Sequence, residues 1–406
     1  PEIETQDYII LVGLKYINCS ISENLLILEN SFKNKNIPIK IYDVNDYEYI
    51  YEESRETIIC LQPFELEGID FSNFKVKPSV FWVWEFYSLP EIFKKYENFI
   101  RKIYVPSEFC KNIFSQKLLV PVEKIDYRSL IHNYVDILGA YNLKNEKLLH
   151  IFDKNNDCLK FGYCIDLNSS LIRKNVLNLV KAFEILGTDT NKILILKIRK
   201  IRNKSNCSEI EIKIWNDIQN IIKNSKNIYI IDEELKQIEL YKFYTYLDYY
   251  ISPHCGEGFG LTLYDNMILG NKIISPLYSG ETDYLNKNNI IELEYKIQEI
   301  DGFNQHPIYK NMIDYSGCLI DYINIYEIIN NIKESIDIYI ILKDNEDYVT
   351  NILPNIKKEL EDNFECYWYI YENNSKDKTK EKLSELFQNS KGNISLNYED
   401  FDETQF

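Results

Sequence analysis

The sequence has no excess of positive charge. Its 406 residues include 46 Lys and Arg against 63 Asp and Glu, so the formal net charge is −17 at pH 7. Broad binding to a nucleic-acid backbone requires clustered Lys and Arg side chains. The charge balance therefore argues against nucleic acid as a partner, while it leaves room for a local basic pocket that holds a small anion.

The sequence also lacks the patterns of disulfide, zinc and membrane proteins. The nine cysteines are odd in number, scattered and never arranged as CxxC, which argues against a disulfide framework and a zinc site. No run of 18 apolar residues occurs, and the sequence starts without a cationic segment followed by an apolar run and a cleavage site. We therefore expect a soluble, cytoplasmic protein with no transmembrane segment.

Glycine is scarce, and its distribution is uneven. Glycine is needed where the backbone takes a positive φ or lets a ligand approach closely, so clustered glycines in a glycine-poor chain indicate a site. Five of the 13 glycines lie within residues 252–285, namely Gly256, Gly258, Gly260, Gly270 and Gly280.

The apolar runs alternate in a way that predicts an α/β protein with more than one domain. The chain is too long for one ordinary core, and 45% of its residues are hydrophobic. In the first segment we predict strands at 8–14, 38–44, 57–61, 80–84 and 102–105, with helices at 23–32, after Pro90 and from Ser107. In the second we predict strands at 158–165, 193–198, 228–231 and 249–252, with helices at 175–186, 208–223 and 238–246.

Strands that alternate with helices form parallel sheets with crossover helices. We therefore expect two Rossmann-like domains, residues 1–150 and 151–333, that face a cleft and bind ligand at the carboxyl ends of their strands. A third alternation, in residues 334–406, predicts strands at 336–342, 365–371 and 393–396 and helices at 347–360 and 378–387. Three strands are few for a free-standing sheet, so we expect a partial domain that continues past residue 406.

The glycine cluster has the layout of a phosphate site, because it joins a strand to a helix predicted at 260–269. The first amides of a helix lack partners within the helix, and the helix dipole favours negative charge there. Glu257 lies in the loop before this helix, and Asp265 lies eight positions later. Carboxylates beside phosphate suit a ligand with neutral hydroxyls, and the lysine of an ATP-binding P-loop is absent. We therefore favour a sugar nucleotide over ATP.

This region resembles a known enzyme family. The run from His254 through EGFGLTL to Asp265, followed by Tyr278-Ser-Gly and Asp283, resembles the donor-binding signature of the family 4 retaining glycosyltransferases of GT-B fold. The resemblance implies that Glu257 approaches the transferred sugar and that Asp265 approaches the nucleotide ribose. It further implies donor contacts from Gly258, Phe259, Gly260, Leu261, Thr262, Ser279 and Gly280.

Two other motifs match the same family in the same order along residues 8–330. A DxxSxxxRKN element, in which the basic residues would neutralise the donor diphosphate, is formed by Asp166, Ser169, Arg173 and Lys174. A WE element on the acceptor side is formed by Trp84 and Glu85. The resemblance thus makes residues 1–150 the acceptor-side domain and residues 151–333 the donor domain, whose last helix returns to the first domain.

Three positions depart from the family pattern. Asp265 replaces the second glutamate and is one methylene shorter, so its ribose contact would be weaker or water-mediated. Cys255 and Gly256 stand where the family often has Arg-Ser, which removes one cation. The loop at 15–23 lacks the glycine pair that the family places beneath the diphosphate and the acceptor.

The expected activity is metal-independent transfer of a sugar from a UDP- or GDP-sugar to a glycan or small-molecule hydroxyl, with retention and without a cofactor. The resemblance implies catalytic roles for Glu257, Arg173, Lys174 and His254. Replacing Glu257 with Ala is expected to abolish transfer with little loss of folding. Two alternatives stay open: an inactive sugar-nucleotide-binding or scaffold domain of a larger transferase, and an epimerase or phosphorylase on the same fold.

Residues 371–379 resemble a different type of glycosyltransferase. The run YENNSKDKT is similar to the ENxSxDxT turn that follows the second strand of GT-A enzymes, where an acidic residue meets the nucleotide. The tail contains a DxD sequence at Asp400 to Asp402, which follows the third strand too directly to be the metal motif of that type. We therefore expect a partial GT-A-like segment and a second transferase domain beyond residue 406.

Overall fold

The computed structural model describes residues 8–15, 20–46, 50–187, 190–199, 208–309, 312, 314–333, 335–342, 344–372, 375–388 and 395–397. The chain divides into two compact units, Pro1–Ile328 and Ile329–Phe406, which we call unit 1 and unit 2. In this described part of the chain, no helix combines the length and the apolar character needed to cross a membrane.

The first half of unit 1 is built on a parallel sheet of six strands. The strand order is β2-β1-β3-β4-β5-β6, and every neighbouring pair is parallel. The strands are β1 (Ile9–Gly13), β2 (Ile39–Asp43), β3 (Glu56–Ile59), β4 (Ser79–Phe81), β5 (Ile103–Val105) and β6 (Val122–Lys124). The helices are α1 (Ser20–Lys33), α2 (Ile92–Lys95), α3 (Glu108–Lys117), α4 (Val135–Leu138) and α5 (Glu146–Lys154). Short 3-10 turns occupy Pro63–Glu65, Phe71–Asn73, Glu97–Phe99 and Leu130–Asn133.

The second half of unit 1 repeats this plan. Its parallel sheet has the order β12-β11-β10-β7-β8-β9, and a separate antiparallel pair joins β13 to β14. The strands are β7 (Leu159–Asp166), β8 (Lys192–Arg199), β9 (Ile228–Ile231), β10 (Tyr249–Ile251), β11 (Lys272–Ser275), β12 (Ile290–Glu292), β13 (Lys296–Glu299) and β14 (Ser316–Leu319). The helices are α6 (Leu171–Lys174), α7 (Val176–Leu186), α8 (Glu209–Asn224), α9 (Gln237–Tyr244), α10 (Leu261–Ile268) and α11 (Tyr322–Asn331), with 3-10 turns at Gly280–Asp283 and Phe303–Gln305.

Central strands such as β1 are apolar throughout because both faces of the sheet are covered there. In β1, Ile10 and Val12 join one buried cluster, whereas Ile9 and Leu11 join the cluster on the opposite face. Alternate side chains of a strand point to opposite faces, so a strand covered on both sides shows a continuous apolar run. The sheets confirm the prediction of two Rossmann-like halves in an α/β protein.

The buried clusters continue from one half of unit 1 into the other. One cluster around Trp82 and Trp84 of the first half includes Phe303 and Tyr309 of the second. The other, around Leu11, includes Phe259. A shared apolar core explains why the two halves form a single compact unit.

Unit 2 is a smaller parallel sheet with the order β15-β16-β17. Its strands are β15 (Ser335–Leu342), β16 (Glu365–Glu372) and β17 (Ser395–Asn397), and its helices are α12 (Glu346–Asn351), α13 (Leu353–Asn363) and α14 (Thr379–Phe387). The fully buried side chains of Leu353, Trp368 and Leu383 lie in its core. The predicted DxD sequence and residues 373–374 of the GT-A-like turn lie outside the described residues, and continuation past residue 406 stays a prediction.

Several predicted elements differ from the structure. The helix predicted at 347–360 is two helices, α12 and α13, that meet at Ile352. Pro354, in the first turn of α13, cannot donate an amide hydrogen bond back into α12, so the helix breaks there. The strand predicted at 80–84 ends at Phe81. The short strands β6, β11, β12, β13 and β14 and the helices α4, α5 and α6 were not predicted. Runs of three or four residues and partly polar strands give a weak periodic signal, although α5, with nine residues, is longer than such a run.

Candidate functional site

The glycine-rich loop begins at the carboxyl end of β10, a strand in the middle of the second sheet. Gly260 immediately precedes α10 and has a φ of 82°, and Gly270 follows the helix with a φ of 81°. Both values lie in the left-handed region, which glycine adopts without strain. The loop therefore places the start of α10 at the edge of the sheet where parallel α/β proteins bind ligands. The first amides of a helix have no hydrogen-bond partners within that helix.

Two adjacent cations face this loop from α6. Ser170 caps α6 and accepts a hydrogen bond from the Arg173 amide at 3.2 Å, and Asn175 ends the helix with a left-handed φ of 54°. Arg173 is 5% exposed. Its Nη1 donates to the Gly256 carbonyl at 2.8 Å, and its Nη2 donates to the Ser169 hydroxyl at 2.8 Å. These bonds fix the guanidinium against the glycine-rich loop.

Glu257 is the carboxylate that both cations contact. Its Oε1 lies 3.0 Å from Arg173 Nη1 and accepts a hydrogen bond from Lys174 Nζ. Burial alone would raise the pKa of Glu257, but the charges of Arg173 and Lys174 outweigh burial and hold that pKa at about 2. Burial lowers the pKa of Lys174, and the attraction of Glu257 offsets only part of that change. One ionised carboxylate is thus shared by two cations, the buried Arg173 and the partly buried Lys174.

The first half of unit 1 contributes a second carboxylate. Glu85 Oε1 lies 3.6 Å from Arg173 Nη2, so Arg173 stands between Glu85 and Glu257. Trp84, by contrast, is 2% exposed, and its Nε1 donates to the Ser88 carbonyl at 2.7 Å. Of the predicted acceptor-side pair, Glu85 therefore faces the cations, whereas Trp84 is a core residue.

The glycines at 256, 258 and 280 lie close against other parts of the chain. A Cβ on Gly256 would lie 2.4 Å from the Glu85 carbonyl oxygen, and one on Gly258 would lie 2.2 Å from Val83 Cγ1. A Cβ on Gly280 would lie 2.1 Å from the Gly258 carbonyl oxygen. The cluster was expected to let a ligand approach, and these close approaches come from the chain itself. Gly256 and Gly258 thus let the two halves of unit 1 pack together, whereas Gly280 lets the chain approach Gly258 within the second half.

His254 lies at the start of the loop in a fully buried position. Its Nε2 is 3.4 Å from the Ser275 hydroxyl and 3.7 Å from Glu281 Oε2, and no residue in the described ranges forms a hydrogen bond with its Nδ1. Burial lowers the pKa of His254, although Glu281 and Glu257 counteract part of this change. The lowered pKa favours a neutral imidazole at pH 7, and this imidazole packs against Ser275 and Glu281 next to the loop.

Asp265 lies apart from the two cations. It is 3% exposed and accepts a hydrogen bond from the Ser129 hydroxyl, which belongs to the first half of unit 1. Burial raises the pKa of Asp265 well above its ordinary value, and the charge of nearby Glu23 raises it further, while the Ser129 bond acts in the opposite direction. Burial also raises the pKa of Glu23, to about 7. Asp265 thus has a neutral hydroxyl as its hydrogen-bond partner and a second acid, Glu23, nearby.

The remaining predicted residues support the loop and the sheet edge. Asp166, at the end of β7, lies 3.1 Å from Arg199, its register partner on β8. Phe259 is 7% exposed and packs against Tyr127. The fully buried Ser279 accepts the Glu257 amide at 2.8 Å, and the Gly280 amide donates to the Glu257 carbonyl at 2.9 Å. Leu261 and Thr262 form the partly buried first turn of α10.

The structure therefore brings one subset of the predicted residues together and separates the rest. The subset around Arg173 comprises Ser169, Arg173, Lys174, Gly256, Glu257 and Glu85. Asp265 and Phe259 belong to a second region, around Ser129 and Tyr127. Among the residues that the structure describes, no group of three or more His, Cys, Asp or Glu side chains could hold a metal ion.

Sequence reasoning missed three residues that shape this site. Glu281 accepts the amides of Tyr278 and Ser279 at 2.7 and 2.8 Å and so fixes the turn behind Glu257. Ser129 and Glu23 surround Asp265, although they are far from it in sequence. An S-x-E spacing at 279–281 was a local signal for Glu281. No local pattern could reveal Ser129 or Glu23, because their relation to Asp265 depends on tertiary packing.

Comparisons with known proteins identify the fold. No protein-family model matches the chain, and no curated protein matches its sequence. A trehalose-6-phosphate structure from E. coli bound with UDP-2-fluoro glucose is 10% identical, with a TM-score of 0.50 over 70% of this chain and 88% of that chain. A trehalose-6-phosphate synthase structure is 11% identical, with a TM-score of 0.50 and the same coverage of 70% and 88%.

At such low identity the likeness concerns the fold alone. The matches support neither the family 4 assignment nor the GT-A resemblance of residues 334–406, and both stay predictions. The predicted fold class is confirmed, because the chain has the GT-B arrangement of two Rossmann-like domains. Each of the two domains of this chain contains a six-stranded parallel sheet.

Proposed function

We propose that unit 1 is a glycosyltransferase that uses a nucleoside diphosphate sugar. The observation that carries the proposal is the pair of cations, buried Arg173 and partly buried Lys174, that share Glu257 in the loop leading to α10. Keeping two cations out of water is costly unless anions or hydrogen bonds compensate for the lost hydration. A diphosphate is an anion of matching charge, and the start of α10 adds unpaired amides on the same loop.

The proposed roles follow from these contacts. The diphosphate replaces the Lys174–Glu257 contact, so that Lys174 and Arg173 bind phosphate oxygens and stabilise the charge of the leaving group. Glu257, ionised at neutral pH, then accepts hydrogen bonds from the sugar hydroxyls. We further propose that transfer proceeds with retention of anomeric configuration, as in the family 4 enzymes that the motifs resemble, and needs neither a metal ion nor a cofactor.

A specific observation favours a second candidate, sugar-nucleotide binding without turnover. Asp265, the residue expected to contact the ribose, is buried and already accepts the Ser129 hydroxyl. Binding of the ribose by the Asp265 carboxylate would require the hydrogen bond from Ser129 to break. A weakened ribose contact is compatible with a domain that holds the donor but transfers slowly or not at all.

A donor and acceptor panel separates these candidates. The full chain is incubated with UDP- and GDP-sugars, each with neutral sugars and sugar phosphates as acceptors, in the presence and absence of EDTA. We expect release of the nucleoside diphosphate together with a new glycoside, and NMR of the product should show the anomeric configuration of the donor. UDP-glucose is the first donor to test, because a matching structure holds UDP-2-fluoro glucose.

The other outcomes are equally informative. Saturable binding of a sugar nucleotide without product would support the second candidate. Conversion of the donor into an epimeric sugar nucleotide would identify an epimerase. Absence of both binding and turnover across the panel would refute the proposed function.

A further inference from the structure

Two buried titratable side chains next to α6 have no part in the proposed function. Glu211, in the first turn of α8, is 3% exposed, and His306, which follows the 3-10 turn at Phe303–Gln305, is 2% exposed. Glu211 Oε2 lies 3.6 Å from His306 Nε2. Burial of polar groups is costly unless they have hydrogen-bond partners. The partners of Glu211 therefore indicate what this carboxylate does.

Glu211 binds the start of the helix that carries both cations. Its Oε1 accepts the amide of Leu171, the first residue of α6, at 3.0 Å. Burial raises the pKa of Glu211, and hydrogen bonds from the Ser170 hydroxyl and the Leu171 amide offset part of that rise. Ser170 in turn accepts the Arg173 amide at 3.2 Å. Glu211 thus holds both the cap of α6 and its first amide, and a carboxylate is favoured there by the helix dipole.

The helix α6 depends on such contacts because it has only four residues, Leu171–Lys174. Isolated helices shorter than about 12–15 residues are marginal in water, so a helix this short is held by tertiary contacts. Its other end is held by the Tyr163 hydroxyl, which donates to the Lys174 carbonyl at 3.0 Å. If the contact with Glu211 were lost, α6 would be fixed at one end only, and the charged side chains that it carries would shift with it.

His306 faces the second oxygen of the Glu211 carboxylate. The Nδ1 of His306 accepts the Ile308 amide at 3.3 Å, which leaves the ring proton on Nε2, the nitrogen next to Glu211 Oε2. Burial and the charge of Arg173 lower the pKa of His306 to about 4, so the imidazole is neutral at pH 7. The ring is fixed in turn by Tyr309, with the two ring centroids 4.8 Å apart. A neutral N–H thus helps to keep the carboxylate in place.

We propose that Glu211 is a positioning residue for sugar transfer, because it fixes α6 so that Arg173 and Lys174 meet the donor diphosphate in the geometry that transfer requires. This inference rests on the proposed function. Glu211 contacts the start of α6, whereas the two cations end the helix, so Glu211 acts through α6 and not on the donor itself. A displacement of about 1 Å caused by a mutation away from the reacting atoms can cost about 10²-fold in rate.

The test compares Glu211→Ala with Glu209→Ala in the full chain. Glu209 is a matched control, because it lies in the same first turn of α8 but is exposed. Per folded molecule, we expect Glu211→Ala to lower kcat by about 10²-fold and to weaken UDP binding, measured by calorimetry, while the KM of the acceptor stays unchanged. Glu209→Ala should keep the wild-type values. Glu211→Gln retains an oxygen for the Leu171 amide and should recover most of the lost rate.

Several results would overturn the inference and leave the proposed function standing. A merely structural role would lower the free energy of unfolding of Glu211→Ala but leave its kcat and UDP affinity at the wild-type values. Equal losses in Glu211→Ala and Glu211→Gln would show that the bond to the Leu171 amide is not the cause. Should Glu211→Ala fail to fold, Glu211→Asp decides, since its carboxylate is one methylene shorter and withdraws from that amide. A wild-type kcat in Glu211→Asp would then refute the role of Glu211.

Failure of the proposed function has a different signature. In that case the wild-type protein neither transfers sugar nor binds UDP, and the inference falls with it. If wild type binds UDP without transfer, the UDP affinities of Glu211→Ala, Glu211→Gln and Glu209→Ala decide whether Glu211 positions the cations.

Discussion

The surroundings of Glu257 and of Asp265 differ sharply, although the two carboxylates lie eight residues apart. Glu257 contacts the buried Arg173 and the partly buried Lys174, and its pKa is held at about 2. Asp265 accepts a hydroxyl from Ser129 and lies near Glu23, and its pKa is raised well above the ordinary value. One carboxylate is an anion that balances charge, and the other is an acid that is favoured in its protonated form.

This difference shows that an E-x7-D spacing does not define two equivalent ligand contacts. Burial acts on both carboxylates in the same direction, since it raises both pKa values. The sign of the neighbouring charge decides the outcome, because the cations come from α6 and the second acid comes from α1. The three predictions that follow test this contrast through the stability of the folded protein.

The largest effect is expected for Glu257→Gln. The variant leaves the buried Arg173 and the partly buried Lys174 without their shared anion, and breaking a buried ion pair from one side costs about 3–5 kcal/mol. Urea unfolding followed by circular dichroism should show this loss, and saturating UDP should recover part of it by binding to the cations. The ion pairs thus argue against the expectation that a Glu257 variant folds almost as well as wild type.

Glu123→Gln is the control for this prediction. Glu123 forms an exposed ion pair with Lys102 at 2.7 Å, and such pairs contribute about 0–1 kcal/mol. If Glu257→Gln were no more destabilising than Glu123→Gln, the two cations would not depend on Glu257, and the contrast with Asp265 would be lost.

A smaller loss is expected for Ser129→Ala. The Ser129 hydroxyl donates to Asp265 and accepts the Ile131 amide at 3.3 Å, so its removal leaves a buried carboxyl oxygen without that donor. An unsatisfied buried polar group costs about 1–3 kcal/mol. The free energy of unfolding measures this cost, and Ser72→Ala is a control because Ser72 bonds to Asp70 on the surface at 2.6 Å. Equal losses in the two variants would contradict a structural role for Ser129.

The smallest effect on stability near pH 4 is expected for Asp265→Asn, which keeps an oxygen that can accept the Ser129 hydroxyl. We expect a change of less than about 1 kcal/mol there. Because the pKa of Asp265 is raised and that of Glu23 is about 7, the folded protein binds more protons than the unfolded chain between about pH 4.5 and 7. The stability that Asp265 and Glu23 contribute is therefore full below that range and falls as the pH rises through it.

The variant should show a shallower fall, since Asn cannot titrate. Unfolding free energies of wild type and Asp265→Asn, measured by urea titration from pH 4 to 8, test this expectation. Identical slopes in the two proteins would mean that Asp265 is ionised in the folded state, as Glu257 is, and the contrast between the two carboxylates would disappear.

Local sequence patterns were sufficient for the long elements of the fold. The continuous apolar runs of β1, β7 and β8 identified buried parallel strands, and Ser107, which accepts the Cys110 amide at 3.2 Å, correctly located the start of α3. The motif around Arg173 and Lys174 also lies beside Glu257, as the resemblance implied. These features follow from periodicity, capping and motif order, which are properties of neighbouring residues.

The sequence by itself determined an α/β chain of two Rossmann-like halves and a loop in which glycines, carboxylates and a helix start are combined. Only the tertiary structure decided which carboxylate the cations contact, that Gly256 and Gly258 accommodate the first half of unit 1, and that Asp265 is enclosed by Ser129 and Glu23. The reason is physical: the protonation state of a buried acid depends on charges and hydrogen bonds within a few ångströms, and folding supplies these from distant positions in the chain.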